Sequence, residues 1–321
     1  MSGASEQLFT RDSGTRPQAY DNVLLFEELG PIRVEVTDER VKEYAFSVDD
    51  YRSWHFTDSP FGGPIAHATL LSNDLLNVYT AVFDRHDGVA MHVEEELAFH
   101  APVPVGETVT LRGHYVDKHL RRGLGLVIME SEARDSSGKL LVSHRGGEVT
   151  SITPGAVAGR STAEEPTDRI VFDALDVTPI TKPDEGILPG SPIQERTKKL
   201  SQAMMAVFSF IGENELNFHN DLQLARSKDL PTTIAQGLQT TGFMSEICTD
   251  FFGVDWFTSG RIKAKYINPA YQGSSITISG KVAGQERAED GGLNTRLELW
   301  AKDQDGRVIS VAWASATTRN E

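Results

Sequence analysis

The chain has 321 residues, 39% of them hydrophobic and 24% charged, with a formal net charge of −15 at pH 7. That length suits two domains of ordinary size, and the hydrophobic content favours neither a disordered chain nor a membrane protein. The acidic balance argues against nucleic-acid partners, which need a basic surface for phosphate, and the lone Cys248 excludes an intramolecular disulfide framework.

Residues 1–7 lack the charged-then-apolar pattern of a secretory signal, and no run approaches the length needed to span a bilayer. A cytoplasmic location with no membrane partner is therefore the expectation. A leading segment, 32–48, runs into the polar loop Asp49-Asp50-Tyr51-Arg52-Ser53-Trp54-His55. Pro64 then opens a predicted long helix, because proline is well suited to a first helical position. Ile65, Ala68, Leu71, Leu75, Val78, Tyr79 and Val82 continue it at helical spacing. Four predicted strands with period-two alternation follow, over 90–100, 107–116, 124–135 and 140–151. The basic cluster 118–122 stands between two of them. It reads either as a solvated hairpin turn or as a patch for the phosphates of a carrier such as coenzyme A.

Residues 152–192 are rich in Pro, Gly, Thr and acidic residues and read as a crossover. The order of elements then repeats. A leading segment, 199–210, runs to a polar loop ending at His219. A predicted helix carries Ile234, Leu238, Phe243, Ile247 and Phe251, with Cys248 as a buried core thiol. Strands are predicted over 259–267, 274–284, 294–302 and 308–317.

The repeat extends to individual residues. Pro102, Gly106 and Gly113 match Pro269, Gly273 and Gly280 at an offset of 167. Pro64-Ile65-Ala66-His67-Ala68 precedes Thr233-Ile234-Ala235-Gln236-Gly237 by 169, and His55 precedes His219 by 164. An internal duplication accounts for this pattern. It divides the chain into an N-terminal domain (1–151), a linker (152–192) and a C-terminal domain (193–321). One helix with four antiparallel strands, twice over, is an α+β arrangement. Edge-to-edge pairing of the two units would close their open sheet edges.

Asp50 and His55, followed by Ala66-His67 and a helical run, resemble the polar motif of the MaoC-like, or R-specific enoyl-thioester hydratase, family. Its hallmark is Asp, any residue, Asn, Pro, an apolar residue and His. Arg52 and Ser53 stand where Asn and Pro are expected, and His67 follows His55 by only twelve residues. The C-terminal half keeps His219, with Gln236 seventeen residues on, and offers Asn214 or Glu213 at the acidic position.

The resemblance implies a tandem (double) hot-dog fold, each unit a long helix wrapped by a curved sheet. It implies a hydro-lyase that adds or removes water at the α,β double bond of an acyl thioester, linked to coenzyme A or to acyl-carrier protein. In that reading Asp50 and His55 hold one water; Asp50 accepts its proton while His55 orients it and takes part in proton transfer. Backbone N–H groups around 62–66 meet the enolate oxygen, with Gly62 and Gly63 permitting close approach. Ile65, Ala66, His67, Gln236 and Gly237 complete the expected substrate-binding set, and His219 with Glu213 or Asn214 is the alternative acid–base pair. No metal or cofactor is required. Two rivals stay open. One is a hot-dog thioesterase using Asp74 or Glu246, and the other a non-catalytic acyl-binding or scaffolding protein. The fused pair can be complete as a monomer or associate as a homodimer.

Overall fold

Period-two alternation sends Val127, Met129, Ser131 and Ala133 to the buried face of one strand and leaves the residues between them half-buried. The same pattern recurs through most of the chain, so sheet dominates the architecture. The protein is described by a computed structural model over residues 14–84, 91–121, 123–152, 170–210, 216–289 and 291–319.

The N-terminal half contains β1 (Arg16–Pro17), β2 (Leu29–Glu35), α1 (Asp38–Val48), α2 (Ser72–Leu76), β3 (Phe83–Asp84), β4 (Met91–Phe99), β5 (Thr108–Arg121), β6 (Leu124–Arg134) and β7 (Leu140–Ile152). The C-terminal half contains β8 (Arg196–Lys199), α3 (Gln202–Phe210), α4 (Leu222–Ser227), α5 (Gly237–Phe252), α6 (Trp256–Ser259), β9 (Arg261–Tyr266), β10 (Ser275–Arg287), β11 (Leu293–Lys302) and β12 (Val308–Thr318). β1 and β3 pair in a small parallel sheet. The remaining ten strands form one sheet in the order β2-β5-β6-β7-β4-β9-β12-β11-β10-β8.

That order reads the same from either end once each strand is matched with its repeat. The two halves meet at the antiparallel pair β4–β9, where Leu97 lies opposite Ile262 and Glu96 opposite Lys263. Lys263 reaches Glu96 at 2.6 Å and Glu94 at 3.0 Å on the half-exposed face. Behind the sheet one apolar cluster runs through both halves, joining Leu71 and Leu75 to Phe243, Met244, Ile247 and Cys248. The Cys248 thiol is fully buried and burial pushes it well above its ordinary range, which suits a core thiol rather than a nucleophile.

The two central helices differ. α5 spans 16 residues, whereas the long helix predicted from Pro64 is absent. Residues 64–71 form bridge and turn, followed by the five residues of α2 and a 3-10 turn over Asn77–Ala81. Apolar spacing alone overlooks the polar residues between. Asn77 Nδ2 donates to the carbonyl of Asn73, and Asn73 Nδ2 donates to Gln236 Oε1 at 3.0 Å. Ser131 Oγ donates to the Leu75 carbonyl at 2.9 Å. Side chains that bond backbone groups compete with the helical ladder, and Asn, Asp and Ser are weak helix formers. The basic cluster also departs from expectation, because residues 118–121 prolong β5. Lys118 Nζ donates to the Val23 carbonyl at 2.8 Å, and Arg122 lies outside the described residues. Among the described residues no helix is long and apolar enough to cross a membrane.

Candidate active site

Helix α1 ends where Asp49 adopts a left-handed conformation (φ 53°), and its N–H closes the helix on the Ala45 carbonyl. The chain then turns inward. Asp50 is 6% exposed and His55, on a 3-10 turn over Ser53–His55, is 1% exposed. His55 Nδ1 lies 2.9 Å from the Ile65 carbonyl, an acceptor, so this nitrogen carries the proton. His55 Nε2 is thereby turned toward Asp50 Oδ2 at 3.7 Å. His67 donates through Nε2 to the Asp50 carbonyl at 3.0 Å, and its ring stacks on His55 with centroids 3.5 Å apart.

Three groups of the predicted site therefore meet in one place: Asp50, His55 and His67. A cavity of about 10 Å³ lies among them, walled also by Tyr44, Thr69 and, from α5, Ser245, Glu246 and Thr249. A single water needs roughly 10–15 Å³ on this measure. Burial alone would raise the Asp50 carboxyl. The facing imidazoles of His55 and His67 and the Arg52 N–H outweigh it and hold the group well below the usual carboxylate range. Burial, reinforced by neighbouring His55, draws His67 down to about 3 against the opposing pull of Asp50. His67 is thus a neutral donor at physiological pH.

The same three side chains place ligand atoms within 4.8 Å of one another, a spacing that a metal ion could use. His67 Nε2 is engaged by the Asp50 carbonyl. Its other nitrogen, Nδ1, is buried without a partner among the described residues.

Several predicted binding residues lie elsewhere. The N–H of Ile65 donates to the Trp54 carbonyl at 2.9 Å and that of Ala66 to Val103 at 2.8 Å. The N–H of Gly62 is engaged by Ser59. These groups have no donor left for an enolate, and with no helix starting at Pro64 no helix dipole points there. Gly62 and Gly63 serve their turn, with φ of +84° and +143°, and are absent from the cavity wall.

The C-terminal half repeats the scaffold around His219. His219 Nδ1 lies 2.8 Å from the Ile234 carbonyl, as His55 does from Ile65. Burial draws its imidazole down to about 4, against that hydrogen bond. Gln236 occupies the His67 position and binds Asn73. Gly237 opens α5, and a Cβ there would meet the Tyr266 ring at 2.7 Å. Glu213 and Asn214 lie outside the described residues.

Sequence reasoning missed how much the other half contributes. Glu246 was visible only as a thioesterase rival, and it lies on the cavity wall; the other candidate, Asp74, is buried in an ion pair with Arg40. Lys198 of β8 was not singled out at all. It is 3% exposed, pairs with Glu246 at 2.6 Å and donates to the Asp49 carbonyl. Only the pseudo-twofold relation between the halves brings these segments to the N-terminal loop.

No protein-family model matches the chain, and no curated protein matches it. Solved structures do. A MaoC-like dehydratase is similar over 94% of this chain and 100% of its own, with a TM-score of 0.73 at 19% identity. A MaoC-like dehydratase from Phytophthora capsici is similar over 94% and 98%, with a TM-score of 0.65 at 15% identity. A conserved protein from Mycobacterium tuberculosis, described as having a double hotdog fold, covers 95% and 99% with a TM-score of 0.63 at 16% identity. The ten-stranded palindromic sheet with its paired halves is the double hot-dog fold, as found in the MaoC-like dehydratases.

Proposed function

We propose that the protein is a MaoC-like hydratase/dehydratase that adds or removes water at the α,β double bond of an acyl thioester, carried by coenzyme A or acyl-carrier protein. One observation carries this reading. A carboxylate held ionised and an imidazole with its Nε2 lone pair turned toward it stand 3.7 Å apart beside a water-sized cavity. Two acceptors at that distance do not bond one another, but one water donating a hydrogen to each holds them together and is left with its lone pairs free.

The chemistry then divides by environment. The strongly acidic Asp50 is a poor proton acceptor and acts by orienting the water, which shifts the accepting role to His55. His55 Nε2 takes a proton as the water oxygen bonds to the β-carbon. The resulting imidazolium, beside the Asp50 carboxylate, returns a proton to the α-carbon. Dehydration is the reverse. For the enolate oxygen, the N–H groups of Ala68 and Thr69 have no acceptor among the described residues and belong to residues on the cavity wall.

Glu246 on the cavity wall favours thioester hydrolysis as a second reading. The two reactions leave different products, so a panel of enoyl thioesters separates them. Hydration removes the conjugated absorbance and releases no thiol, whereas hydrolysis releases thiol. Thiol release abolished by Glu246→Ala would replace the hydratase reading. Saturable binding without turnover of either kind would establish an acyl-binding protein instead.

A further inference from the structure

The loop bearing Asp50 and His55 is held from outside its own repeat. Lys198, on edge strand β8 of the C-terminal half, donates to the backbone carbonyl of Asp49, the residue just before Asp50. Its ammonium also lies 2.6 Å from Glu246 of α5 and 3.7 Å from the Asp49 carboxylate. Beside it, Arg196 pairs with Glu246 at 3.0 Å and with Asp250, and Asp250 pairs in turn with Arg52 inside the loop.

Burying an ammonium and a carboxylate carries a desolvation cost that offsets their attraction, so such a pair is weak evidence of stabilisation. Its geometric consequence is clear. Asp49 is the left-handed residue at which the chain leaves α1, and anchoring its carbonyl sets the direction of everything up to His55.

We propose that Lys198 and Glu246 are positioning residues for the Asp50–His55 pair, with Glu246 holding the ammonium on the Asp49 carbonyl and releasing it on protonation. This rests on the hydratase reading in taking Asp50 and His55 as the reacting pair. Glu246 faces Lys198 and Arg196 from β8, and Asp49, Asp50 and His55 from the loop. Arg52, His67, Tyr44 and, on its own helix, Asp250 complete the surroundings. Burial lifts its carboxyl to about 7, a rise that the Asp50 charge adds to and that Lys198 and Arg196 oppose. The clamp is engaged above that value and released as the pH falls through it.

Two readouts test the clamp, one independent of turnover. The first is kcat and KM for enoyl-thioester hydration from pH 5.5 to 9 in wild type, Glu246→Gln, Glu246→Asp and Lys198→Met. The second is backbone hydrogen exchange of residues 49–56 in the same proteins, corrected for the intrinsic effect of pH. Glu246→Gln lowers kcat roughly ten- to a hundredfold, the scale of a misplaced reacting group. It leaves KM within about twofold and removes the component of the acid limb centred near 7, leaving only that of the His55 base, and Glu246→Asp recovers part of the rate. Exchange of the loop quickens in Glu246→Gln and Lys198→Met, and in wild type as the pH is lowered through about 7.

Wild-type kinetics and unchanged loop exchange in Glu246→Gln overturn the clamp. If wild type hydrates no enoyl thioester, the hydratase reading falls and the exchange data alone decide the clamp. Loop exchange that does not change with pH in wild type then overturns it, even if a variant fails to fold.

Discussion

Each buried imidazole is read through the atom that its partner leaves free. His55 and His219 both point Nδ1 at a backbone carbonyl, so the duplicated scaffold presents Nε2 twice, but only His55 has a described carboxylate in front of it. His67 and His219 are drawn down to about 3 and about 4, chiefly by burial. Between those values and about 6.5, the ordinary imidazole value, the unfolded chain takes up protons that the folded chain refuses. Their contribution to stability is therefore complete above about pH 6.5 and is lost as the pH falls. His67 accounts for up to about 1.4 kcal/mol per pH unit. Glu246, raised by burial, acts in the opposite sense up to its value near 7, so the informative comparison is between variants. His67→Gln should flatten the pH dependence of the denaturation midpoint between 4 and 6.5, measured by urea titration. A slope identical to wild type would contradict the neutral, buried assignment.

Among the elements, the strands were legible from sequence because each shows one face to the core and one outward, a period that survives local irregularity. β6 and β12 lie within two residues of their predicted ends. The first central helix was not legible, since periodicity records where apolar residues fall and not what Asn73, Asp74 and Asn77 do with their side chains. The site shows the same division. Asp50 and His55 were singled out because their loop resembles the MaoC-like motif, and both lie within that single loop. Glu246 and Lys198 depend on two segments brought together across the pseudo-twofold, which spacing cannot show. Helix α5 packs closely against α1 at Gly242, where a Cβ would sit 2.9 Å from both Tyr44 Oη and Val48 Cγ1. Gly242→Ala should cost about 1–3 kcal/mol by overpacking. It should also displace Tyr44, whose ring lies 5.0 Å from that of His67. Chemical denaturation measures the first effect, and unchanged stability would mean that the two helices have slack between them.

For the molecule as a whole, duplication produced two halves that share one sheet and one core. The apolar cluster crosses from one half to the other, and the central pair β4–β9 continues the sheet through the junction. The halves should therefore unfold together. Calorimetry should give a single transition with matching calorimetric and van't Hoff enthalpies, and two resolved transitions would refute a shared core. The junction should owe its strength to burial more than to its charges. Ile262→Ala, at a 2% exposed position, should cost about 2–5 kcal/mol. Lys263→Ala, which removes half-exposed ion pairs to Glu94 and Glu96, should cost less than about 1 kcal/mol. Urea titration of both variants checks that order.

The double hot-dog scaffold brings the loop of one half against the helix of the other, and the account places its chemistry in the N-terminal loop alone. The most direct test is kcat/KM for hydration of a short enoyl-coenzyme A, followed by loss of the conjugated absorbance, in wild type, Asp50→Asn, His55→Ala and His219→Ala. The account predicts losses of about 10²-fold or more for the first two variants and near wild-type activity for His219→Ala. Activity that survives in Asp50→Asn and His55→Ala but disappears in His219→Ala would move the reaction to the C-terminal half and contradict it.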